Sequence, residues 1–173
     1  MKKGIQRAAV FFRNLKVFYK KEKPIKCSDY LDNRTITFLD VSTAKEAIEE
    51  LVHVLDKASK FRDKEEFHRT ILNRENILST GIGLGIAVPH AKLASCKNFF
   101  IAIGIQKNKG IEWNSLDGLP VNLIFMIGCP LNRHVEYLNI LARLTWTLKN
   151  PEKREAILKA TTEDQVIDLF KNS

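Results

Sequence analysis

The sequence predicts an α/β domain, a three-layer α/β/α sandwich in which a small mixed sheet is covered by helices on both faces, with elements in the order β-α-α-β-β-β-α-α-α. Three observations predict it. A short β-branched run is followed at once by two segments of helical periodicity. Three apolar, β-rich runs then follow between residues 86 and 128. From Asn132 onward every periodic segment reads as helix.

Thr35 to Val41 alternates and is β-branched, which predicts the first strand. Ser42 or Thr43 is placed to cap a helix whose positions Ala44, Ala47, Ile48, Leu51, Val52, Leu55 and Ala58 keep the 3.6-residue period. A second helix is predicted from about Asp63 to Asn76, with Phe67, Ile71 and Leu72 inward. The glycine-rich segment Thr80 to Gly85 opens into Ile86-Ala87-Val88, which reads as a strand. Phe99 to Gln106 predicts another, Lys107 to Gly110 a turn, and the apolar run Val121 to Gly128 a strand buried on both faces. Val135, Leu138, Leu141, Ala142, Leu144 and Thr145 give the next helix its core stripe. Pro151 suits the first turn of another, and Thr161 or Thr162 caps a last one ending near Lys171.

The 173 residues, 45% of them apolar, suffice for one compact domain with a short appendage. Three cysteines, Cys27, Cys96 and Cys129, are odd in number and form no C-x-x-C pair. They argue against a disulfide framework and a thiolate zinc site, and they suit a reducing, cytoplasmic setting. The longest apolar stretch, Leu119 to Leu131, is interrupted by Asn122 and is too short to cross a bilayer.

The formal charge of +8 is confined to one end. Residues 1–24 hold eight basic side chains against the single acid Glu22, so they carry +7, and residues 25–173 are nearly neutral. Pro24 therefore marks the expected boundary between a basic N-terminal extension and the domain. The extension mixes its charges with Phe11, Phe12, Leu15, Phe18 and Tyr19. It reads either as a solvated tail or as a helix making weak contact with a membrane surface or an acidic partner. The neutral body carries no aromatic-interleaved basic patch, which excludes a nucleic-acid reader.

Gly81-Ile-Gly-Leu-Gly85 has G-x-G-x-G spacing and precedes a strand, so it is no dinucleotide fingerprint, and no phosphate-binding G-x-x-x-x-G-K-[ST] loop occurs. The informative run continues through Ile86-Ala-Val-Pro-His-Ala-Lys92. Histidine is a competent nucleophile near neutral pH, and its two ring nitrogens must be told apart by a hydrogen bond to one of them. Pro89 fixes the backbone before His90 and biases Val88 to an extended conformation, which holds the imidazole at a strand end. Arg74 offers a guanidinium, which can hold an oxyanion with two parallel hydrogen bonds. His134, near a helix N-terminus, is placed to donate a hydrogen bond where the helix field favours an anion.

Gly83, Ile86, Ala87, Val88, Pro89, His90 and Ala91 resemble the signature of the type-2 enzyme IIA domains of the bacterial phosphoenolpyruvate-dependent phosphotransferase system, the mannitol/fructose/nitrogen-regulatory class. Leu72-Asn-Arg-Glu75 with Ser79-Thr80 resembles the Arg-Glu…Ser-Thr segment of that family. Pro130 followed by His134-Val-Glu-Tyr-Leu resembles its second histidine, and the likeness runs from about Cys27 to Phe170. The resemblance implies a phosphotransferase acting through a phosphohistidine. His90 would accept a phosphoryl group from a histidine-containing phosphocarrier protein, His134 and Arg74 would assist, and Ser79 is a weaker candidate for an oxygen contact. It implies no metal and no cofactor. The short chain leaves no room for a IIB or membrane IIC domain, which favours a stand-alone, nitrogen-type regulatory role. The alternatives are a sugar-specific component passing phosphate to a IIB protein and a phosphorylation-dependent protein-binding sensor. Leu84 and the loop Ile111 to Gly118 depart from the family pattern and bear on the choice of partner.

Overall fold

The computed structural model describes residues 26–171, so the basic extension and its boundary at Pro24 lie outside the described residues. Two 3₁₀ turns, Cys27–Tyr30 and Asn33–Thr35, lead into β1 (Ile36–Leu39). The strand is shorter than its β-branched run because Thr35 turns inward to the preceding loop. Its hydroxyl lies 2.9 Å from both the Asp32 and Ile101 carbonyls. Next comes α1 (Ala44–Lys57), started by a capping box in which Thr43 accepts from the Glu46 amide and Glu46 accepts from the Thr43 amide. Asp63 caps α2 (Lys64–Ile77) by accepting from the Glu66 amide, without the reciprocal bond.

Five strands follow, where the sequence predicts three. They are β2 (Gly81–Gly83), β3 (Ile86–Ala87), β4 (His90–Leu93), β5 (Phe100–Gln106) and β6 (Leu123–Pro130). The additional strands sit in a Gly- and Pro-rich stretch whose local signals read as turn. Tertiary pairing makes them strands. The tight Gly83-Leu84-Gly85 connection joins β2 to β3 with all three residues at positive φ. That includes Leu84 at 60°, whose amide donates to Asp117 Oδ2 over 2.7 Å. The chain then closes with α3 (His134–Lys149), α4 (Pro151–Lys159) and α5 (Glu163–Lys171).

The sheet is mixed. Its order is β1-β5-β6-β3-β2, with β4 also paired to β6. The β5–β6 pair is antiparallel and buried along its whole length on both faces. Against one face lie α1 and α2, with Leu51, Leu55, Phe67 and Ile71 meeting Ala91, Phe100, Ala102 and Met126. Against the other lie α3, α4 and α5, with Tyr137, Ile140, Leu144, Ile157 and Phe170 meeting Val88, Ile101, Ile103, Phe125 and Ile127. This is the expected three-layer arrangement. One detail of the expected α3 stripe differs: Val135 is 67% exposed, and the buried line instead starts at Tyr137 and continues through Ile140 and Leu144 to Leu148. Val135 stands on the other side of the helix from Tyr137, away from that line.

Both β3 and β4 run parallel to β6. Ile86 faces Leu123 and Ala87 faces Ile124, while His90 faces Ile127 and Ala91 faces Gly128. The offset is the same before and after Pro89, so β3 and β4 are one line along β6, interrupted where proline lacks an amide. The Pro89 carbonyl still accepts from the Ile127 amide at 2.9 Å.

Gly128 is required where this line meets β5, because a Cβ there would overlap the ring of Phe100, its partner across the ladder. Gly128→Ala is therefore expected to destabilise the domain by about 1–3 kcal/mol. The urea midpoint should fall at unchanged slope, and Phe100→Leu in the same chain should recover part of the loss. An unchanged midpoint in Gly128→Ala would show that the ring has room to move.

Candidate functional site

The site forms at the free edge of β4, where the proline break lets residues from both helical layers converge. Along β4 the burial alternates, with His90 and Lys92 half-buried and Ala91 and Leu93 buried. His90 and Lys92 thus share the face that carries α3, and Ala91 and Leu93 the face that carries α1 and α2.

Two contacts fix the imidazole of His90. Its Nδ1 lies 3.0 Å from the Val88 carbonyl, which can only accept, so Nδ1 bears the proton. Its Nε2 lies 3.2 Å from Arg74 Nε, which can only donate, so Nε2 offers the lone pair. One tautomer satisfies both partners. The ring also stands against Tyr137, with centroids 5.3 Å apart. Burial lowers the His90 pKa below its ordinary 6.5, and the charges of Arg74 and Lys92 act in the same direction. The bond to Val88 and the carboxylate of Glu75 oppose them. The imidazole is consequently neutral at pH 7.

Arg74 sits in the last turn of α2 and reaches around the sheet edge. Besides His90 it binds the Leu78 carbonyl through Nη1 at 2.7 Å. It is free to do so because the neighbouring Glu75 is engaged elsewhere. Glu75 accepts from the Thr80 amide at 2.8 Å, the Thr80 hydroxyl at 2.5 Å and Trp113 Nε1 at 2.9 Å. That network ties the end of α2 to β2 and to the 111–120 loop, and so fixes the base of Arg74.

His134 is the exposed first residue of α3, as the sequence predicts, but its partner is Lys92, whose ammonium donates to Nδ1 over 3.3 Å. Tyr137, one turn later, lies under the ammonium, with Lys92 Nζ 4.4 Å from its ring centroid. Ser79 is brought near but is committed to the backbone. Its hydroxyl donates to the Trp113 carbonyl at 2.5 Å and accepts from the Gly81 amide at 3.1 Å. Sequence reasoning missed Lys92 and Tyr137. The signals were present: Lys92 lies two residues after His90, on the same face of a strand, and Tyr137 three residues after His134, on the same side of a helix.

Among the described residues no cluster of three or more His, Cys, Asp or Glu side chains is able to hold a metal, and no helix is long and apolar enough to cross a membrane. The three thiols are buried and unpaired. Burial pushes those of Cys27 and Cys129 up to about 12, so neither is a nucleophile at neutral pH.

Comparison with known proteins identifies the family of the chain. Over 147 residues the chain is 44% identical to the fructose-specific EIIABC component of the phosphotransferase system of Bacillus subtilis. The match takes in 84% of this chain and 23% of that protein. With the fructose-specific EIIA component of Haloferax volcanii it shares 31% identity over 149 residues, 82% of this chain and 96% of the relative. The crystal structure of the nitrogen regulatory protein IIA-Ntr from Neisseria meningitidis superimposes with a TM-score of 0.77 at 26% identity, covering 83% of this chain and 98% of that one. Residues 29–173 match the model of the phosphoenolpyruvate-dependent sugar phosphotransferase system EIIA 2 family, and the chain belongs to that family.

Proposed function

We propose that the chain is a phosphocarrier that takes a phosphoryl group on Nε2 of His90 from the phosphohistidine of a histidine-containing phosphocarrier protein. The observation that carries the reading is the pair of contacts on His90, which leaves a single nitrogen with a lone pair and aims it at a guanidinium. The Nε2 lone pair attacks phosphorus while the donor's P–N bond breaks, and the electron pair of that bond returns to the donor's histidine. Positive charge developing on the His90 ring is delocalised to Nδ1–H, which already donates to Val88. Arg74 occupies Nε2 before the reaction. It releases the lone pair as the donor docks and turns its fork to the phosphoryl oxygens. His134 contributes a further donor at the N-terminus of α3. The transfer as written calls for neither a metal nor a nucleotide.

The acceptor that the higher identities favour is a IIB protein of a fructose-type system. A nitrogen-type regulatory role, in which the phosphorylation state controls contacts with a target protein, is supported by the likeness to IIA-Ntr. Residues 1–24 enter this reading as a basic extension of a cytoplasmic domain spanning residues 25–173.

Incubation with phosphoenolpyruvate, enzyme I and the phosphocarrier protein is expected to place an acid-labile, base-stable phosphate on the chain. His90→Ala should abolish it with the fold intact, and stoichiometric label on that variant would overturn the reading. Loss of label to an added fructose-type IIB protein would select the sugar role, and retention the regulatory one.

Arg74→Ala and His134→Ala are expected to accept phosphate about 30- to 1,000-fold more slowly, as losing one charge-stabilising contact costs about 2–4 kcal/mol. Rates equal to wild type would remove both residues from the machinery.

The pH dependence has a definite sign. With a lowered pKa, His90 gives up its proton at a pH below 6.5. Removing the Arg74 charge should raise that midpoint. Titration of the His90 ring by NMR in wild type and Arg74→Ala reads both, and a midpoint unmoved by the substitution would contradict the electrostatic account.

A further inference from the structure

The contact between Lys92 and His134 carries a consequence for the site. We infer that Lys92 is a positioning residue, which selects the tautomer in which His134 presents Nε2–H at the N-terminus of α3. The inference rests on the phosphocarrier reading above for its consequence, but not for its physical content.

An ammonium has three donors and no acceptor. At 3.3 Å from His134 Nδ1 it makes a hydrogen bond only if that nitrogen keeps its lone pair. In a neutral ring the proton must then reside on Nε2. A ring protonated on both nitrogens would set N–H against N–H and one cation against another, so the contact and the protonated ring exclude each other. Lys92 is not free to wander from this position. It extends from a strand residue that faces Cys129 across the ladder, and its Nζ lies 4.4 Å from the Tyr137 ring centroid, an attractive site for a cation. Tyr137 in turn packs on the His90 ring at 5.3 Å, so the Lys92 ammonium and the His90 imidazole share one aromatic neighbour.

The arrangement mirrors that of His90. There a carbonyl acceptor holds the proton on Nδ1 and leaves Nε2 as the lone pair, which suits a nucleophile. At His134 a cationic donor holds the lone pair on Nδ1 and leaves Nε2–H, which suits a donor to a phosphoryl oxygen. Two histidines of the same intrinsic chemistry are thereby assigned opposite roles by neighbours of opposite hydrogen-bonding character. Lys92 acts through His134.

The test uses the full chain with imidazole ¹⁵N NMR at a pH where His134 is neutral, joined to phosphorylation kinetics. In wild type His134 should show Nε2 protonated and Nδ1 as a hydrogen-bonded acceptor. Lys92→Met should shift the Nδ1 signal towards that of a free, averaging ring and slow phosphoryl transfer roughly tenfold. Lys92→Arg, which keeps a cationic donor, should restore the signal and most of the rate. In a His134→Ala background Lys92→Met should cost little further, because the residue through which it acts is gone. An unshifted His134 spectrum in Lys92→Met would overturn the inference. So would fully additive kinetic losses, which would mean that Lys92 acts on the phosphoryl group directly. If the wild-type chain takes no phosphate at all, the functional reading fails, while the ring spectra still decide the role of Lys92.

Discussion

The break at Pro89 in the line that β3 and β4 form along β6 is the constraint on which the rest of the site depends. An unbroken strand would place one more backbone amide against β6 at position 89. Proline removes one donor without shifting the register, so the chain resumes at His90 with the same alternation it had at Ile86. The Val88 carbonyl, which the ladder with β6 does not use, accepts from His90 Nδ1. Alternation then sets His90 and Lys92 towards α3, while the two buried residues between and after them anchor the strand on the opposite layer. Because β4 pairs with β6 alone among the described strands, its outer side stays open, and Arg74 reaches His90 from the other face of the sheet.

The electrostatics follow from the same placement. Half-burial beside two cations disfavours the imidazolium, which keeps the ring neutral but sets a cationic environment in place before any anion arrives. A phosphoryl group carries the negative charge that this environment lacks. The cost of holding cations close together at the sheet edge is limited by their partners: the Leu78 carbonyl for Arg74, and the Tyr137 ring and His134 for Lys92. Glu75, whose charge could have neutralised Arg74, is held by Thr80 and Trp113. A carboxylate that might have quenched the site instead braces it.

The loop from Ile111 to Pro120 has a comparable bracing role. Its Leu116 amide donates to the Gly81 carbonyl at 2.9 Å, its Trp113 supplies both a carbonyl to Ser79 and an indole N–H to Glu75, and its Asp117 holds Leu84 at positive φ. Positive φ is unfavourable for leucine, and the carboxylate contact offsets part of that cost. The loop lies against the hairpin that leads into β4.

The sequence by itself determined the layers, the helices and the place of the Pro-His pair at a strand end. Helical periodicity and capping residues are local, so α1 and α2 were legible to within a residue or two at Thr43 and Asp63, and a wholly apolar run such as β6 declares its own burial. The Pro-His signature and the spacing to Arg74 and His134 pointed to one site. What only the tertiary structure decided was how those groups are paired. The short strands β2 and β4 exist because β3 and β6 lie alongside them, against local preferences for turn. Val135 is exposed because the buried line of α3 runs through Tyr137 instead. Lys92 and Tyr137 became visible only when β4 and α3, more than forty residues apart in sequence, were brought within hydrogen-bonding reach. A residue's type and spacing fix what chemistry it is able to perform. Which nitrogen carries the proton depends on the neighbour that the fold supplies, and no local sequence pattern encodes that neighbour.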